Sequence, residues 1–181
     1  MNVLEAIRRK RTVRKYTDKP LPQDVVEQIL YAGRRAQSSK NMQPWHFIAI
    51  QNRDTLTALS KLGDFATHLP TAALAVAILT PDPASHYAVM FDAGQAAAYM
   101  QLAALDLGVG SGIITLHRAE PSRQILGYPS DLYLLMVLAF GYPQDPEAAF
   151  SPASRPGGRL PTNEIIHYEH WNSQNPSQQT K

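Results

Sequence analysis

Six of the eight side chains from Arg8 to Lys15 are cationic; the run reads Arg8-Arg9-Lys10-Arg11-Thr12-Val13-Arg14-Lys15 and closes on Tyr16. Cations held in one place with a hydroxyl among them suit a phosphate group. Guanidinium forks bind its oxygens bidentately, an ammonium adds a point charge, and the hydroxyl donates once more. If Lys10 to Arg14 is extended, alternate residues share a face. Lys10, Thr12 and Arg14 then project one way, and Arg11, Val13 and Lys15 the other. One face offers cation, hydroxyl, cation. The competing readings are a solvated charge run, a nuclear-localisation signal or a nucleic-acid patch. The whole chain carries only +2, and outside this run eleven cations face fifteen acids. No second basic stripe or aromatic platform extends the patch, which weighs against nucleic acid.

The other constellations are weaker. Gly108-Val109-Gly110-Ser111-Gly112 fails as a dinucleotide fingerprint, because position 113 is Ile and the segment follows a helical stretch rather than a strand. It reads as a helix stop with tight turns into the next strand, where backbone N–H groups could approach a flat ligand. His167 and His170 flank Glu169 without metalloprotease spacing, and read as surface or interface histidines. His68, His86 and His117 are isolated. Neither GxSxG nor a Ser-His-Asp order occurs, so a hydrolase has no support. Asp92, inside an apolar stretch, reads as a structural hydrogen-bonding residue rather than an acid catalyst. Arg155 and Arg159 read as solvated unless the tail returns to the first cluster.

The elements that must position these residues follow from pattern. Asn2 to Arg9 predicts a short helix, with capping-box spacing between Asn2 and Glu5. Lys10 to Asp18 is extended. A helix runs from about Pro22 to Arg35, with Val25, Val26, Ile29 and Leu30 on one face and Pro22 suited to its first turn. Gln37 to Pro44 is a polar loop, Trp45 to Ile50 a strand and Thr55 to Leu62 a helix. Ala72 to Leu79 is a continuous apolar run, as in a strand covered on both faces. Tyr87 to Leu107 is the longest helix, apolar on nearly all sides and rich in alanine, so it must be covered all round. In a chain this short, a second subunit could supply that cover. Ile113-Ile114 suggests a strand, Ser122 to Leu126 a short helix, and Leu132 to Tyr142 the strongest strand. From Pro143 on, six prolines and few apolar residues suggest an extended arm rather than more core, with Ile165, Ile166 and Trp171 docking on something.

The 181 residues are enough for one domain with a sizeable core. A hydrophobic content of 44% points to a folded protein rather than a disordered one. The absence of cysteine excludes disulfides, thiolate nucleophiles and Cys-ligated metal centres. No apolar run reaches the roughly 18 residues of a membrane helix, and no signal peptide is evident. The simplest reading is a soluble cytoplasmic protein. Residues 1–172 would be the domain, and 173–181 a disordered tail.

Taken in order, four segments resemble the nitroreductase family of flavin-dependent oxidoreductases. Lys10-Arg11-Thr12-Val13-Arg14-Lys15-Tyr16 is similar to the family's Arg-Arg-Ser-x-Arg-x-Phe/Tyr opening. Ala36-Gln37-Ser38-Ser39-Lys40-Asn41-Met42-Gln43-Pro44-Trp45-His46-Phe47 is similar to its Ala-Pro-Ser-x-x-Asn-x-Gln-Pro-Trp-x-Phe segment. Asp92 to Gln95, through Leu107 to Ser111, resembles its central helix and glycine turn. Arg159-Leu160-Pro161, with Ile165 to Tyr168, resembles its C-terminal basic segment.

The resemblance implies an α+β fold: a mixed central sheet flanked by helices, with a C-terminal arm embracing the partner of a homodimer. It implies FMN at the subunit interface, with NADH or NADPH as reductant. Lys10, Arg11, Thr12 and Arg159 would hold the phosphate. Arg14 would lie at the pyrimidine edge of the ring. Ser38, Ser39 and Asn41 would come from the other subunit, with Gln43 in the same segment. Backbone near Ile114 and Thr115 would face the ring. The cofactor carries the chemistry, so no side-chain acid or base is required. Gln37 departs from the family's usual proline, and no clear match appears for the Asn and Lys that some members place before the second strand. No lid insertion follows the glycine turn, which implies an open pocket. Rival readings are reductive dehalogenation or flavin fragmentation on the same scaffold, a flavin-binding protein without turnover, and a basic nucleic-acid module.

Overall fold

Every residue of strand β2 (Leu74–Thr80) is buried, so this strand is covered on both faces. In the computed structural model, which describes residues 1–151 and 158–171, its side chains divide by parity. Leu74, Val76 and Ile78 enter one apolar cluster; Ala75 and Ala77 enter another. The first cluster is capped by α2 (Gln23–Arg34) and α4 (Ala88–Asp106). The second takes Leu56 and Leu59 of α3 (Arg53–Ser60), and Val13 and Tyr16 from the basic segment. Helices therefore lie on both faces of a sheet, as the α+β reading requires.

Among the described residues the sheet has four strands in the order β1-β2-β4-β3, where β1 is His46–Ile50, β3 is Gly110–Ile114 and β4 is Tyr133–Gly141. All three pairings are antiparallel. This corrects the expected mixed sheet. The parallel component among the described residues is one bridge, Thr12 to Ser111, which attaches the basic segment to the outer edge of β3. Among the described residues, this segment alone arrives in the other direction.

Helix α1 (Val3–Arg9) begins where Asn2 Oδ1 accepts from the Glu5 N–H, the predicted cap. Gly108 takes φ 71 just past α4 and stops that helix as expected. Gly110 and Gly112, in contrast, are strand residues rather than turns. Between β3 and β4 lies α5 (Ala119–Leu126). A second correction concerns Pro143 onward. Asp145 caps a helix, α6 (Pro146–Phe150), with proline in its first turn, and Ala149 is buried in the core. The core thus extends through this helix.

The chain divides into two units, Met1–Ser151 and Pro152–Lys181. In the second, the described residues form a short helix, α7 (Thr162–Ile165), and His167 stacks on Trp171 at 4.1 Å. The expectations for Arg155 and for a disordered tail over 173–181 fall outside the described residues. No helix among those described is long and apolar enough to cross a membrane.

Candidate functional site

The basic segment is anchored by its uncharged members. Val13 is buried while Thr12 and Arg14 are exposed, so the predicted alternation holds over these three; it ends there, since Lys15 is exposed and Tyr16 is buried. Three glycines make room for the anchors. A Cβ on Gly110 would lie 2.8 Å from Val13 Cβ, one on Gly112 would lie 2.8 Å from the Val13 carbonyl, and one on Gly141 would lie 2.9 Å from the Tyr16 ring. The Tyr16 hydroxyl donates to the Val13 carbonyl at 2.7 Å, with the Ala139 carbonyl 3.2 Å away. Burial pushes the phenol's pKa far up, outweighing the opposing effect of Arg14, so Tyr16 is a neutral donor.

The cations divide by role. Arg11 turns back on α1, its Nη1 donating to the carbonyls of Arg8 at 2.7 Å and Lys10 at 2.9 Å. These are helix-terminal carbonyls, where a cation is favourable. Lys10 is half-buried, and its Nζ donates to the Arg11 carbonyl at 3.0 Å. Burial and then the Arg11 charge lower its pKa. Thr12 and Arg14 stand exposed where the segment bridges β3. Beyond that bridge the outer edge of β3 has no strand neighbour among the described residues. Ile113 there is 51% exposed, Ile114 is buried, and Thr115 is exposed just past the strand. A hydroxyl, a guanidinium and an open strand edge with an apolar side chain fit a phosphate ester carrying a flat polar ring.

His68, silent in sequence because it lies far from any motif, sits beneath this segment. It is 7% exposed, its ring is 6.4 Å from that of Tyr16, and its Nε2 is buried without a hydrogen-bond partner. Burial and then Arg14 lower its pKa.

Ser38, Ser39, Asn41 and Gln43 form a second cluster. A single 3-10 turn over Ser39–Asn41 is followed by Met42, and Lys40, Asn41 and Gln43 have φ of 51, 55 and 49. Left-handed backbone at three non-glycine residues in four is strained and must be held by its surroundings. Ser38 Oγ accepts from the Gln43 N–H at 2.9 Å, and Asp92 of α4 accepts from the Ser39 N–H. Asp92 is thus the structural hydrogen-bonding residue expected.

One chain does not bring the two clusters together. Their separation follows from strand register. Ser111, which carries Thr12, pairs with Phe140, and Phe140 with Leu74 at the start of β2. His46, which follows the loop, pairs with Leu79 near the end of β2. The basic segment and the strand that follows the loop thus have three strands, β3, β4 and β2, between them and stand five residues apart along β2, at diagonal corners of the sheet. At ordinary strand spacings that is roughly 25 Å. Helix α4 gives a comparable measure. The Met1 ammonium ahead of the basic segment binds Asp106, whereas the loop binds Asp92, about 21 Å back along the helix axis. Arg159 belongs to the second unit, described only by itself.

The sequence profile of the nitroreductase family matches residues 7–82 and 62–142. A protein of Archaeoglobus fulgidus named NADH dehydrogenase/NAD(P)H nitroreductase is 30% identical over 175 residues, covering 93% of this chain and 98% of its own. A Bacillus subtilis protein named FMN reductase [NAD(P)H] is 28% identical, covering 92% and 73%. Among solved structures, a nitroreductase family protein from Clostridium difficile superposes with a TM-score of 0.81 at 26% identity, covering 94% and 100%.

Proposed function

This chain belongs to the nitroreductase family, and from that premise we propose that it is an FMN-dependent NAD(P)H oxidoreductase whose cofactor sites are each completed by a second copy of the chain. The observation that carries the proposal is the diagonal separation of the two clusters. Phosphate-type donors lie at one corner and hydroxyl and amide donors at the other, too far apart to hold one ligand. A two-fold axis brings unlike corners of two copies together twice.

The exposed apolar surface supports this association. Val3, Leu4 and Ile7 of α1 are 68%, 80% and 57% exposed, and Tyr87, Met90 and Phe91 at the start of α4 are 84%, 51% and 73% exposed. Apolar side chains grouped in this way mark an interface. They also answer the requirement that α4, apolar nearly all round, be covered.

In this reading Lys10 and Arg11 supply positive charge for the phosphate and Thr12 a hydroxyl. Arg14 faces the electron-rich edge of the ring, where its charge favours the reduced, more negative form. The outer edge of β3 near Ile114 and Thr115 presents backbone donors to the ring. The partner's loop contributes Ser38, Ser39, Asn41 and Gln43. Bound FMN would supply the chemistry, ping-pong transfer of reducing equivalents from NADH or NADPH to a small organic acceptor such as a nitroaromatic or a quinone. The relative named FMN reductase [NAD(P)H] supports this pairing of flavin and nicotinamide.

The test is the visible absorption of the purified protein before and after anaerobic NADH, then NADPH. A yellow protein that bleaches is the expected result. One that stays yellow would contradict the reductase activity, and a colourless one that takes up no added FMN would contradict the cofactor.

A further inference from the structure

Gln37 and Ser39 flank Ser38, and each is tied to α4. The Ser39 N–H donates to Asp92 at 3.0 Å to Oδ2 and 3.2 Å to Oδ1, and Gln95 Nε2 donates to the Gln37 carbonyl at 3.4 Å. Asp92 and Gln95 are three residues apart on the helix, so they stand on one face. An acceptor and a donor from α4 thus grip the backbone on both sides of the serine. Asp92 is 2% exposed, and among the described residues the Ser39 N–H is its one donor. A buried carboxylate so sparsely partnered is unfavourable where an apolar residue would pack into the same helix face. The loop it holds has three left-handed non-glycine residues and no buried side chain. Nothing in the loop's own packing would select that conformation.

We propose that Asp92 is a positioning residue, its carboxylate clamping the Ser38–Gln43 loop in the shape that completes the cofactor site of the partner copy. This rests on the reading of that loop as half of an FMN site. Asp92 itself touches neither cofactor nor substrate; it fixes where the Ser38 hydroxyl and the turn after it stand.

Two measurements test the clamp: amide hydrogen exchange of the FMN-free protein, and FMN affinity by fluorescence titration. In Asp92→Ala the amides of residues 38–43 should exchange about tenfold faster or more, while those of β2 stay protected. FMN should bind about tenfold more weakly. Asp92→Asn keeps one carbonyl oxygen for the Ser39 N–H and should recover most of both losses, whereas Asp92→Leu, branched alike but with no acceptor, should recover neither, which a general loss of packing would not predict. Should Asp92→Ala fail to fold, Ser39→Pro carries the same test from the other side by deleting the donated proton. Ser38 is extended, as a residue before proline must be, and proline is tolerated in a first helical turn. Loop exchange unchanged in Asp92→Ala, or full FMN affinity in a variant whose loop is loosened, would overturn the proposal. A wild-type protein that binds no FMN would overturn the cofactor reading and with it this role. That outcome is distinguishable, because exchange reads the clamp without any ligand.

Discussion

Val13 and Tyr16 hold the basic segment by burial in the core, whereas the Ser38–Gln43 loop buries none of its side chains and hangs from Asp92 and Gln95. The first half of the site is a continuation of the sheet, fitted into space left by three glycines. The second is a strained turn fastened by a few polar bonds. Damage to the supports of the first half should therefore appear as lost stability, because they belong to the core. Damage to the second should appear as lost binding with stability preserved.

The largest effect is expected from Gly112→Ala. The added Cβ would meet the Val13 carbonyl at 2.8 Å, and backbone cannot yield as a flexible side chain can. Overpacking of this kind should cost about 2–3 kcal/mol, measured by urea unfolding. Unchanged stability would show that the segment is not locked against β3. Arg14→Ala, at an exposed position, should leave the urea midpoint nearly unmoved. It should weaken FMN binding by about ten- to a hundredfold, the worth of one charge-assisted contact, and lower the flavin's reduction potential. Tyr16→Phe removes the donor to Val13 and should destabilise by about 1 kcal/mol without altering the potential.

A subtler test of the same half is pH. The folded state lowers the pKa of His68, through burial and then Arg14, so folding favours the neutral ring. The neutral ring's contribution is complete above the ordinary histidine value of about 6.5, and is lost as pH falls below it towards the folded value. Wild-type unfolding free energy should decline over that interval, and His68→Gln should flatten the decline. Equal slopes in the two proteins would remove His68 from the account.

Much of this was legible because the signals are local. The Asn2 cap, the apolar face of α2, the continuous burial of β2 and the length of α4 each follow from neighbouring residues. The run of cations and the polar loop were also legible as candidates. Long-range fit was not. Gly110 and Gly112 read as turn residues, yet they are strand residues whose missing side chains admit Val13 from about a hundred residues away. Arg11 stood among the phosphate ligands by family resemblance, and in the fold it closes the end of α1. Helix α6 was hidden by its proline, which composition reads as arm and geometry uses as a helix start. His68 had no local signal. The separation of the two clusters could be seen only once strand order and register were known.

The most direct test of a site shared between two copies is complementation. Arg14→Ala and Ser39→Pro chains carrying different affinity tags would be co-expressed, and the mixed dimers isolated by tandem purification. Each variant alone should bind FMN poorly. In the mixed dimer one site receives both defects and the other neither, so the account predicts FMN bound at wild-type affinity to half of the sites. Mixed dimers that bind FMN no better than either parent would contradict it.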